Sequence, residues 1–292
     1  MPELPEVETA VRSLNKTILG RKIEDVWSDC KKLIKKPGEF HRFERDIKDK
    51  KIEEITRKGK NIIFRLSDGY YLIVHQKMTG HFLFGEWRLE KGKWQPLNPQ
   101  SPFGESTNSF IHLAFRLDDG KMLAFSDLRK FAKVMLVTKK DFLNLEDLKK
   151  IGPDPLSKDF TGEEFNEIIR TQKGKIKRVL MNQEVISGIG NIYSDEILWE
   201  SRIHPLSSIK KLSDEDIKKI HRAIRKVLEK AIILKGDSVS DYRLITGEKG
   251  GYQKVQKAYG RTGQPCFRRD GGKIERVKIG SRSAHFCPKC QK

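Results

Sequence analysis

The chain begins Met1-Pro2-Glu3, a start that could carry covalent chemistry. If Met1 is removed, Pro2 becomes a terminal secondary amine with the carboxyl group of Glu3 beside it. Attack of that amine on an aldehyde-level carbon, such as C1′ of a deoxyribose, gives an iminium ion that has no N–H proton to lose. The trapped positive charge is an electron sink for cleaving neighbouring C–O bonds. A structural interpretation competes, because Pro2 and the acidic residues after it also favour the first turn of a helix.

A second set of reactive side chains lies near the C-terminus. Cys287 and Cys290 form a Cys-x-x-Cys knuckle, and Cys266 lies upstream of them. Thiolates at this spacing are typical of a structural zinc site, which needs a fourth ligand. Asp270 can supply an oxygen ligand, although it stands one residue beyond the place that a first Cys-x-x-Cys knuckle would use. Three arrangements stay open: three thiolates with Asp270, three thiolates completed by His285 or water, and a hairpin that needs no metal.

Several turns combine cations with an apolar side chain. Lys60 lies in one turn, Met78 follows a strand at another, and Arg129 stands beside Phe131 at a third. A solvated basic turn and a core-filling methionine are the plain interpretations. An apolar wedge beside an arginine is also what a protein needs to push a base out of a duplex and fill the gap. Two glycines before Asn191 make either a plain turn or a phosphate-binding helix start.

Composition and net charge limit the classes of partner that this protein could bind. The 292 residues include 59 Lys and Arg against 40 Asp and Glu, a net charge of +19 that is typical of a polyanion-binding protein. No run approaches the ~18 apolar residues of a membrane span, and no signal-peptide pattern opens the chain. We therefore expect a cytoplasmic, nucleoid-associated monomer with no membrane partner. Most of the cysteines cluster at the C-terminus, which favours a metal over disulfides.

Hydrophobic patterns predict the elements that position these side chains. Apolar residues at helical spacing over 3–19 predict an amphipathic helix that fixes Pro2. From about 23 to 138, short β-rich runs joined by tight turns predict antiparallel strands packed as a β-sandwich. The proline-rich stretch 86–109 is predicted to be an insert in that sheet. The predicted strands are 52–57, 61–66, 70–75, 81–84, 111–117, 121–126 and 133–138.

The sequence becomes helical after the Gly152–Leu156 turn, with predicted helices ending near 171 and covering 175–183, 191–201 and 212–235. The polar, glycine-rich segment 236–259 offers no core and is interpreted as a linker or as a loop that closes over a ligand. The expected fold class is α+β and multidomain. The predicted domains are a β-sandwich at 1–140, a helical domain at 141–236, a loop or linker at 237–258 and a zinc-finger-like hairpin at 259–292.

Taken together, these residues resemble the formamidopyrimidine-DNA glycosylase family of bacterial base-excision enzymes, also called Fpg or MutM. The likeness runs along the whole chain, from Pro2–Glu8 through Lys60, Asp127–Phe131 and Gly188–Asn191 to the terminal hairpin. Each motif is weak alone, but their order and spacing are specific. The resemblance implies an N-terminal β-sandwich with flanking helices, a helix–two-turn–helix domain and a zinc-finger-like β-hairpin holding one structural zinc ion.

The resemblance also implies an activity: a bifunctional DNA glycosylase and AP lyase that removes oxidised purines, 8-oxoguanine and formamidopyrimidines, from double-stranded DNA. Pro2 would form the Schiff base and Glu3 would protonate the opening sugar. Lys60 would serve β-elimination, and Arg282 would serve the δ-elimination that leaves a gap. The residues that would contact DNA are Glu6, His75, Met78, Arg129, Lys130, Phe131, Lys173, Lys177, Asn191, Tyr242 and Arg261, and the metal ligands would be Cys266, Asp270, Cys287 and Cys290.

The chain departs from the family pattern at several positions. Lys130 stands where the family often has an arginine, which loses a bidentate phosphate contact. Phe110 replaces a DNA-contacting histidine, and Gln172 replaces a lysine for which Lys173 could substitute. Two alternative functions are kept: an endonuclease VIII-like glycosylase for oxidised pyrimidines, and a non-catalytic damaged-DNA-binding protein. The alternatives differ in the excised base and in the covalent step.

Overall fold

The computed structural model describes residues Met1–Lys292, and the chain divides into two compact units. The first unit consists of Met1–Lys149 and Leu234–Gln253, and the second of Lys150–Ile233 and Lys254–Lys292. Each unit is therefore built from two separate stretches of the chain. No helix combines the length and apolar character needed to cross a membrane.

The first unit contains the helix predicted at the N-terminus and all strands of the β-rich region. Its helices are α1 (Leu4–Thr17), α2 (Phe40–Ile47), α3 (Lys139–Leu143) and α4 (Glu146–Lys149). Its strands are β1 (Ile23–Trp27), β2 (Ile34–Lys36), β3 (Ile52–Lys58), β4 (Asn61–Leu66), β5 (Tyr70–His75), β6 (His81–Gly85), β7 (Trp87–Glu90), β8 (Lys93–Pro96), β9 (Ile111–Leu117), β10 (Met122–Ser126) and β11 (Lys133–Thr138).

Two sheets form the predicted β-sandwich. One has the strand order β1-β9-β10-β6 and the other β2-β11-β5-β4-β3. Every pair is antiparallel except the pair of β2 with β11, which is parallel. Their inner faces share one core, in which the rings of Phe64 and Phe82 from opposite sheets meet at 5.8 Å. The core fixes which end of each strand presents a loop to the site.

Helix α1 forms because its apolar residues recur on one face and its first turn is capped. Leu4, Val7 and Leu14 are fully buried, and each such side chain contributes about 1.5 to 3 kcal/mol. Glu3 and Glu6 make a reciprocal capping box at the N-terminus. The structure thus shows the helix-capping interpretation of the opening residues, and the capping carboxyl is also the one beside Pro2.

Three segments of the first unit carry structure that the sequence did not predict. Residues 23–47 form β1, β2 and α2, and the insert 86–109 contains the β7–β8 hairpin. The expectation that 236–259 offers no core is wrong, because Ile245 is only 5% exposed and belongs to the main core. The carbonyl of Ile245 also accepts the N–H of Phe84 at 2.8 Å. A few apolar residues suffice here because backbone hydrogen bonds hold the rest of the segment.

The second unit is a helical cluster with a β-hairpin. Its elements are α5 (Gly162–Arg170), α6 (Ile176–Leu180), α7 (Asn191–Ser201), α8 (Asp214–Ile233), β12 (Glu275–Ile279) and β13 (Arg282–Phe286). The predicted capping box of α8 is present, with the Ser213 hydroxyl accepting the N–H of Asp216 at 3.1 Å. Helix α7 packs against both α8 and β13. The hairpin is therefore fixed to the helices and does not extend alone.

Candidate functional site

The N-terminal end of α1 brings Pro2, Glu3 and Glu6 together in a buried setting. Pro2 is buried and Glu3 is 2% exposed. One oxygen of the Glu6 carboxylate accepts the N–H of Glu3 at 2.7 Å, and the other accepts the N–H of Asp237, also at 2.7 Å. The Glu6 carboxylate is thus engaged with the chain and the residue is 1% exposed, and its expected DNA contact stays a prediction. Glu6 ties the segment 234–253 to α1.

Tyr242 makes a second connection between this segment and α1. Its hydroxyl donates a hydrogen bond to the carbonyl of Glu6 at 3.1 Å, and the side chain is 3% exposed. Burial, with the negative charge of Glu6, raises the pKa of Tyr242 well above its usual value, so the phenol stays neutral. The hydroxyl of Tyr242 is therefore bonded to protein, and the expected DNA contact of this residue stays a prediction. Gly236 permits this close approach, because a Cβ there would lie 2.7 Å from a Glu6 oxygen.

Lys60 and His75 stand at neighbouring strand ends. Lys60, in the turn between β3 and β4, is 6% exposed. Burial, with the charges of Lys77 and Lys60, lowers the pKa of His75 to about 3, so its imidazole is neutral. Nδ1 of His75 accepts the N–H of Lys77 at 3.0 Å, which places the ring proton on Nε2. His75 thus offers one N–H donor, which suits a phosphate oxygen.

A single buried carboxylate organises the wedge loops. Asp127 is fully buried and accepts hydrogen bonds from the Thr79 hydroxyl and, at 2.9 Å, from the N–H of Ala132. The Thr79 oxygen in turn accepts the N–H of Arg129 at 3.0 Å. Because Thr79 follows Met78, this network joins the Met78 loop to the loop that carries Arg129. The structure therefore brings the two predicted wedge loops together.

The wedge side chains extend from this network. Phe131 is 51% exposed, an uncommon position for a large aromatic ring, and the guanidinium of Arg129 lies 4.6 Å from its centroid. Met78 is partly buried. Lys130 occupies the left-handed region with φ of 55°, and its N–H bonds to the carbonyl of Asp127 at 3.0 Å. This turn displays Arg129 and Phe131 on either side of Lys130.

In the second unit, the glycine turn before α7 is shaped by Gln183. Its amide donates to the carbonyl of Ile189 at 2.7 Å and accepts the N–H of Gly188 at 2.9 Å. Gly188 has a φ of 86°, a conformation that favours glycine. Asn191 is the first residue of α7, and its Oδ1 has no hydrogen-bond partner. The turn thus presents a side-chain amide at the positive end of an 11-residue helix.

Lys177 lies in a buried ion pair with Asp195, and its expected phosphate contact stays a prediction. It is 1% exposed, and its ammonium donates to Asp195 at 2.5 Å and to the carbonyl of Ser283 at 2.9 Å. The other oxygen of Asp195 accepts the N–H and the Nδ1–H of His285, both at 2.9 Å. A cation this deep is held only where it is paired. Lys177 and Asp195 therefore fix β13, the strand whose first residue is Arg282.

Arg261 is largely occupied by its own loop. Its guanidinium donates to Gln264 at 2.9 Å and to the carbonyl of Lys257 at 3.1 Å, and it lies 3.9 Å from the ring centroid of Phe267. The geometry supports a loop-ordering role more strongly than the expected phosphate contact. Lys173, by contrast, is exposed in the turn after α5, and Arg282 is exposed at the start of β13.

Four predicted metal ligands meet in the C-terminal hairpin. The ligand atoms of Cys266, Asp270, Cys287 and Cys290 all lie within 4.8 Å of one another. The sulfurs of Cys266 and Cys290 are 3.9 Å apart, and an Asp270 oxygen lies 3.4 Å from the Cys287 sulfur. Tetrahedral zinc with Zn–S bonds of about 2.3 Å requires ligand separations of about 3.8 Å. The residues therefore fit a zinc ion with three thiolate ligands and one carboxylate.

Backbone conformation explains how Asp270 reaches the site from one residue beyond the usual position. Arg269 and Gly271 both adopt positive φ, 54° and 72°, and the turn folds Asp270 back toward the thiols. The N–H of Gly272 donates to Asp270 at 2.8 Å and lowers the pKa of that carboxyl. The alternative in which His285 completes the site is wrong, because His285 is bound to Asp195.

Two buried acids of the site were not predicted. Asp237 was absent from the candidate residues although its backbone binds Glu6. Glu196 is 2% exposed and accepts the N–H groups of Lys257, Ala258 and Tyr259 at 2.8 to 3.1 Å. The available signal for Glu196 was the acidic pair with Asp195 inside an otherwise apolar stretch of α7.

Comparison with known proteins places the chain in a family. The N-terminal domain of formamidopyrimidine-DNA glycosylase matches residues 1–134, its H2TH domain 151–243, and the zinc finger found in FPG and IleRS 269–292. Among similar proteins, formamidopyrimidine-DNA glycosylase of Pelotomaculum thermopropionicum is 38% identical over 292 residues, covering 100% of this chain and 99% of that protein. The enzyme of Heliobacterium modesticaldum is 38% identical over 293 residues, with 100% of both covered.

Solved structures of similar proteins match this structure over nearly the whole chain. Lactococcus lactis Fpg in complex with DNA containing an abasic site has a TM-score of 0.85 at 34% identity, covering 99% of both chains. The complex of the Lactococcus lactis protein with DNA containing Fapy-dG has a TM-score of 0.84 at 34% identity, covering 99% of this chain and 100% of that one. Full-length identity above 30% with matching domain order leaves one assignment: the chain belongs to the formamidopyrimidine-DNA glycosylase family.

Proposed function

We propose that this chain is a bifunctional DNA glycosylase and AP lyase of base excision repair, which excises 8-oxoguanine and formamidopyrimidines from double-stranded DNA. The main supporting observation is the N-terminal end of α1, where buried Pro2 stands beside Glu3. Glu3 is 2% exposed, and its backbone N–H is bound by the Glu6 carboxylate. A nucleophile and an acid fixed next to each other are what covalent base excision requires. Family membership supports the same reaction.

The reaction assigns one step to each reactive group. Once Met1 is removed, the Pro2 nitrogen bonds to C1′ as the bond from C1′ to the damaged base breaks, and the proton that the amine loses passes to the leaving base. Glu3 donates a proton to the ring oxygen, and the sugar opens to an iminium ion. The cation draws electrons while a C2′ proton leaves and the 3′ C–O bond breaks in β-elimination, the step assigned to Lys60. Loss of the 5′ phosphate in δ-elimination is assigned to Arg282.

Lesion extrusion is assigned to Met78, Arg129 and Phe131. Support comes from the half-exposed ring of Phe131 and from the Asp127 network that connects their loops. An apolar wedge keeps the flipped base outside the stack by occupying the gap. The N–H donors of Arg129 match the carbonyl and ring-nitrogen acceptors of an orphaned cytosine.

Phosphate binding is assigned to His75, Lys130, Lys173 and Asn191. Arg282 is also proposed to lie near the sugar-phosphate backbone of the DNA. His75 offers an Nε2–H, and Asn191 stands at a helix N-terminus whose dipole favours anions. Zinc, when bound, holds the hairpin that carries Arg282. We further propose that the protein acts on chromosomal DNA in the cytoplasm and that the segment 237–258 covers the flipped base. A covering loop favours purines over the pyrimidines of an endonuclease VIII-like enzyme.

Borohydride trapping tests this function. Duplex DNA with 8-oxoguanine opposite cytosine, incubated with the protein and cyanoborohydride, should yield a covalent protein–DNA adduct whose peptide carries the sugar on Pro2. The matched variant Pro2→Leu keeps an apolar residue but retains Met1, because initiator methionine is removed only before small residues. It should give no adduct. An equal adduct from Pro2→Leu, or none from the wild type, contradicts the proposal, and faster excision of thymine glycol contradicts the purine preference.

A further inference from the structure

A concave surface in the second unit lies between the C-terminal end of α7, one face of α8 and residues 289–292. It forms a cavity of about 1070 Å³. Seven cationic side chains line this basic cavity, against two acidic side chains, which leaves an excess of five positive charges. All seven cations are exposed, so their charges are available to a ligand. A concave site with this charge attracts anions.

Helix α8 contributes three of the cations from one row. Lys219, Arg222 and Lys226 follow each other at intervals of three and four residues, a spacing that places side chains on the same side of a helix. Each of them is paired with an acidic side chain at 2.5 to 3.7 Å. The buried residues of α8 are all apolar, so the packing of the helix does not require this charged row.

The other four cations stand at the edges of the basic cavity and have no acidic partner. Arg202 follows α7, Lys211 precedes α8, and Lys289 and Lys292 lie in the C-terminal segment. None of the four makes a salt bridge within the chain. Four uncompensated cations around one cavity repel one another, and bound carboxylate groups would relieve that repulsion.

Backbone hydrogen bonds hold the C-terminal segment against the loop after α7. The N–H of Lys292 donates to the carbonyl of Arg202 at 3.2 Å, and the N–H of His204 donates to the carbonyl of Lys292 at 2.9 Å. The side-chain amide of Gln291 donates to the carbonyl of Ile203, also at 2.9 Å. The cations on these two segments therefore stand on a fixed framework, and binding need not order the backbone.

The floor of the basic cavity is apolar. Ile203, Leu212 and Ala223 line it and are buried. No aromatic side chain is part of the lining. Single-stranded nucleic acid is commonly bound through bases that stack on aromatic rings, and a duplex presents phosphates without apolar groups to cover such a floor. A peptide that combines carboxylates with aliphatic side chains complements both the cations and the floor.

The basic cavity lies away from two groups that are proposed to contact DNA. Asn191 begins α7 and Glu200 stands near its end, about 14 Å farther along the helix axis. Arg282 begins β13, whereas Lys289 and Cys290 follow the other end of that strand. An occupant of the cavity therefore leaves Asn191 and Arg282 accessible.

We propose that the basic cavity binds an acidic peptide segment of a partner protein. The carboxylates of that segment meet the uncompensated cations, and its aliphatic side chains cover Ile203 and Leu212. The cavity gives the protein a docking site beyond its proposed chemistry, and the inference does not rest on that chemistry. Because the cations are exposed, association should weaken as the salt concentration rises.

Fluorescence anisotropy on the full-length protein tests the proposal. The probe is a fluorescein-labelled peptide with aspartates on both sides of two leucines, and serines replace the leucines in a comparison peptide. The variant Lys211→Glu with Lys219→Glu reverses two charges of the cavity. Its matched control, Lys210→Glu with Lys218→Glu, makes the same changes one residue earlier, at exposed lysines outside the lining. Thermal unfolding checks that both double variants are folded.

The wild type should bind the leucine-containing peptide, and the variant Lys211→Glu with Lys219→Glu should bind it about tenfold more weakly. The control should stay within about threefold of the wild type, since it changes only the net charge. The serine-containing peptide should bind the wild type about fivefold more weakly, because it leaves the apolar floor uncovered. Saturation with a duplex that contains an abasic-site analogue should leave peptide binding unchanged.

Three results would overturn the proposal. No binding by the wild type, or equal losses in the two double variants, would show that the cavity is not a specific site. Displacement of the peptide by the duplex or by oligothymidine would assign the cavity to nucleic acid. Equal affinity for the two peptides would assign it to polyanions in general. None of these measurements involves base excision, so a failure here is distinct from a failure of the proposed function.

Discussion

Both units use a buried carboxylate to hold a reactive residue in place, but they treat its charge differently. In the first unit, Glu6 accepts backbone N–H groups of Glu3 and Asp237, and two further carboxyls lie beside it. In the second unit, Asp195 is paired with the ammonium of Lys177 at 2.5 Å. Negative charge is thus concentrated where the proposed cationic intermediate would form, and it is neutralised where only a strand must be held.

The largest effect is expected on the excision rate when the acid Glu3 is removed from the first unit. Glu3→Gln keeps the size of the side chain and loses the transferable proton, so single-turnover excision of 8-oxoguanine should slow by about 10²- to 10⁴-fold. Urea unfolding should change by less than about 1 kcal/mol, because Glu3 stabilises only one helix end. Excision within threefold of the wild type would contradict the role of Glu3.

The next effect concerns stability and not chemistry. Lys177→Met leaves the carboxylate of Asp195 buried without its cation, and breaking a buried pair costs about 3 to 5 kcal/mol. Urea unfolding should detect this loss. The double variant Lys177→Met with Asp195→Leu removes both charges and should recover most of it. An unchanged unfolding free energy in the single variant would contradict the buried ion pair.

Metal binding should respond more moderately. Asp270→Cys supplies a thiolate where the carboxylate stands and should retain one zinc ion per chain by atomic absorption, whereas Asp270→Ala should release zinc to a chelator at least tenfold faster than the wild type. Equal release rates for Asp270→Ala and the wild type would exclude Asp270 as a ligand.

The smallest effect tests the connection between the segment 234–253 and α1. Tyr242→Phe removes the hydroxyl that donates to the carbonyl of Glu6 and should cost about 1 kcal/mol of unfolding free energy. DNA affinity, measured by fluorescence anisotropy, should stay unchanged because the hydroxyl faces protein. A pronounced affinity loss with unchanged stability would restore the direct DNA contact.

The sequence predicted elements with clear periodicity and turn signals. The bounds expected for β4, β5, β9, β11 and α7 match the structure, because alternating or helical apolar patterns and glycine-containing turns delimit them. Helix α2 was missed because it is short and half of its 8 residues are charged. The core contribution of Ile245 was missed because the surrounding segment is polar and the contact with Phe84 is distant in sequence.

The candidate site was predictable in residue type but not in partner. The thiols, Pro2 and Glu3 were identified because their chemistry is unusual at those positions. The ion pair of Lys177 was not predicted, because a sequence does not show that a lysine faces a carboxylate 18 residues away. The place of Asp270 in the metal site depends on the positive φ of Arg269, which no local sequence pattern predicts.

The hydrogen bond from Lys177 to the carbonyl of Ser283 gives the C-terminal hairpin a second tether. Zinc would hold β13 just beyond its C-terminal end, at Cys287. Lys177 holds the other end of β13 at Ser283, next to Arg282 and about 13 Å from Cys287 along the strand. Metal scarcity would therefore loosen the far end first and leave the arginine-bearing end attached. The arginine-bearing end of the hairpin thus has an anchor that does not depend on the metal.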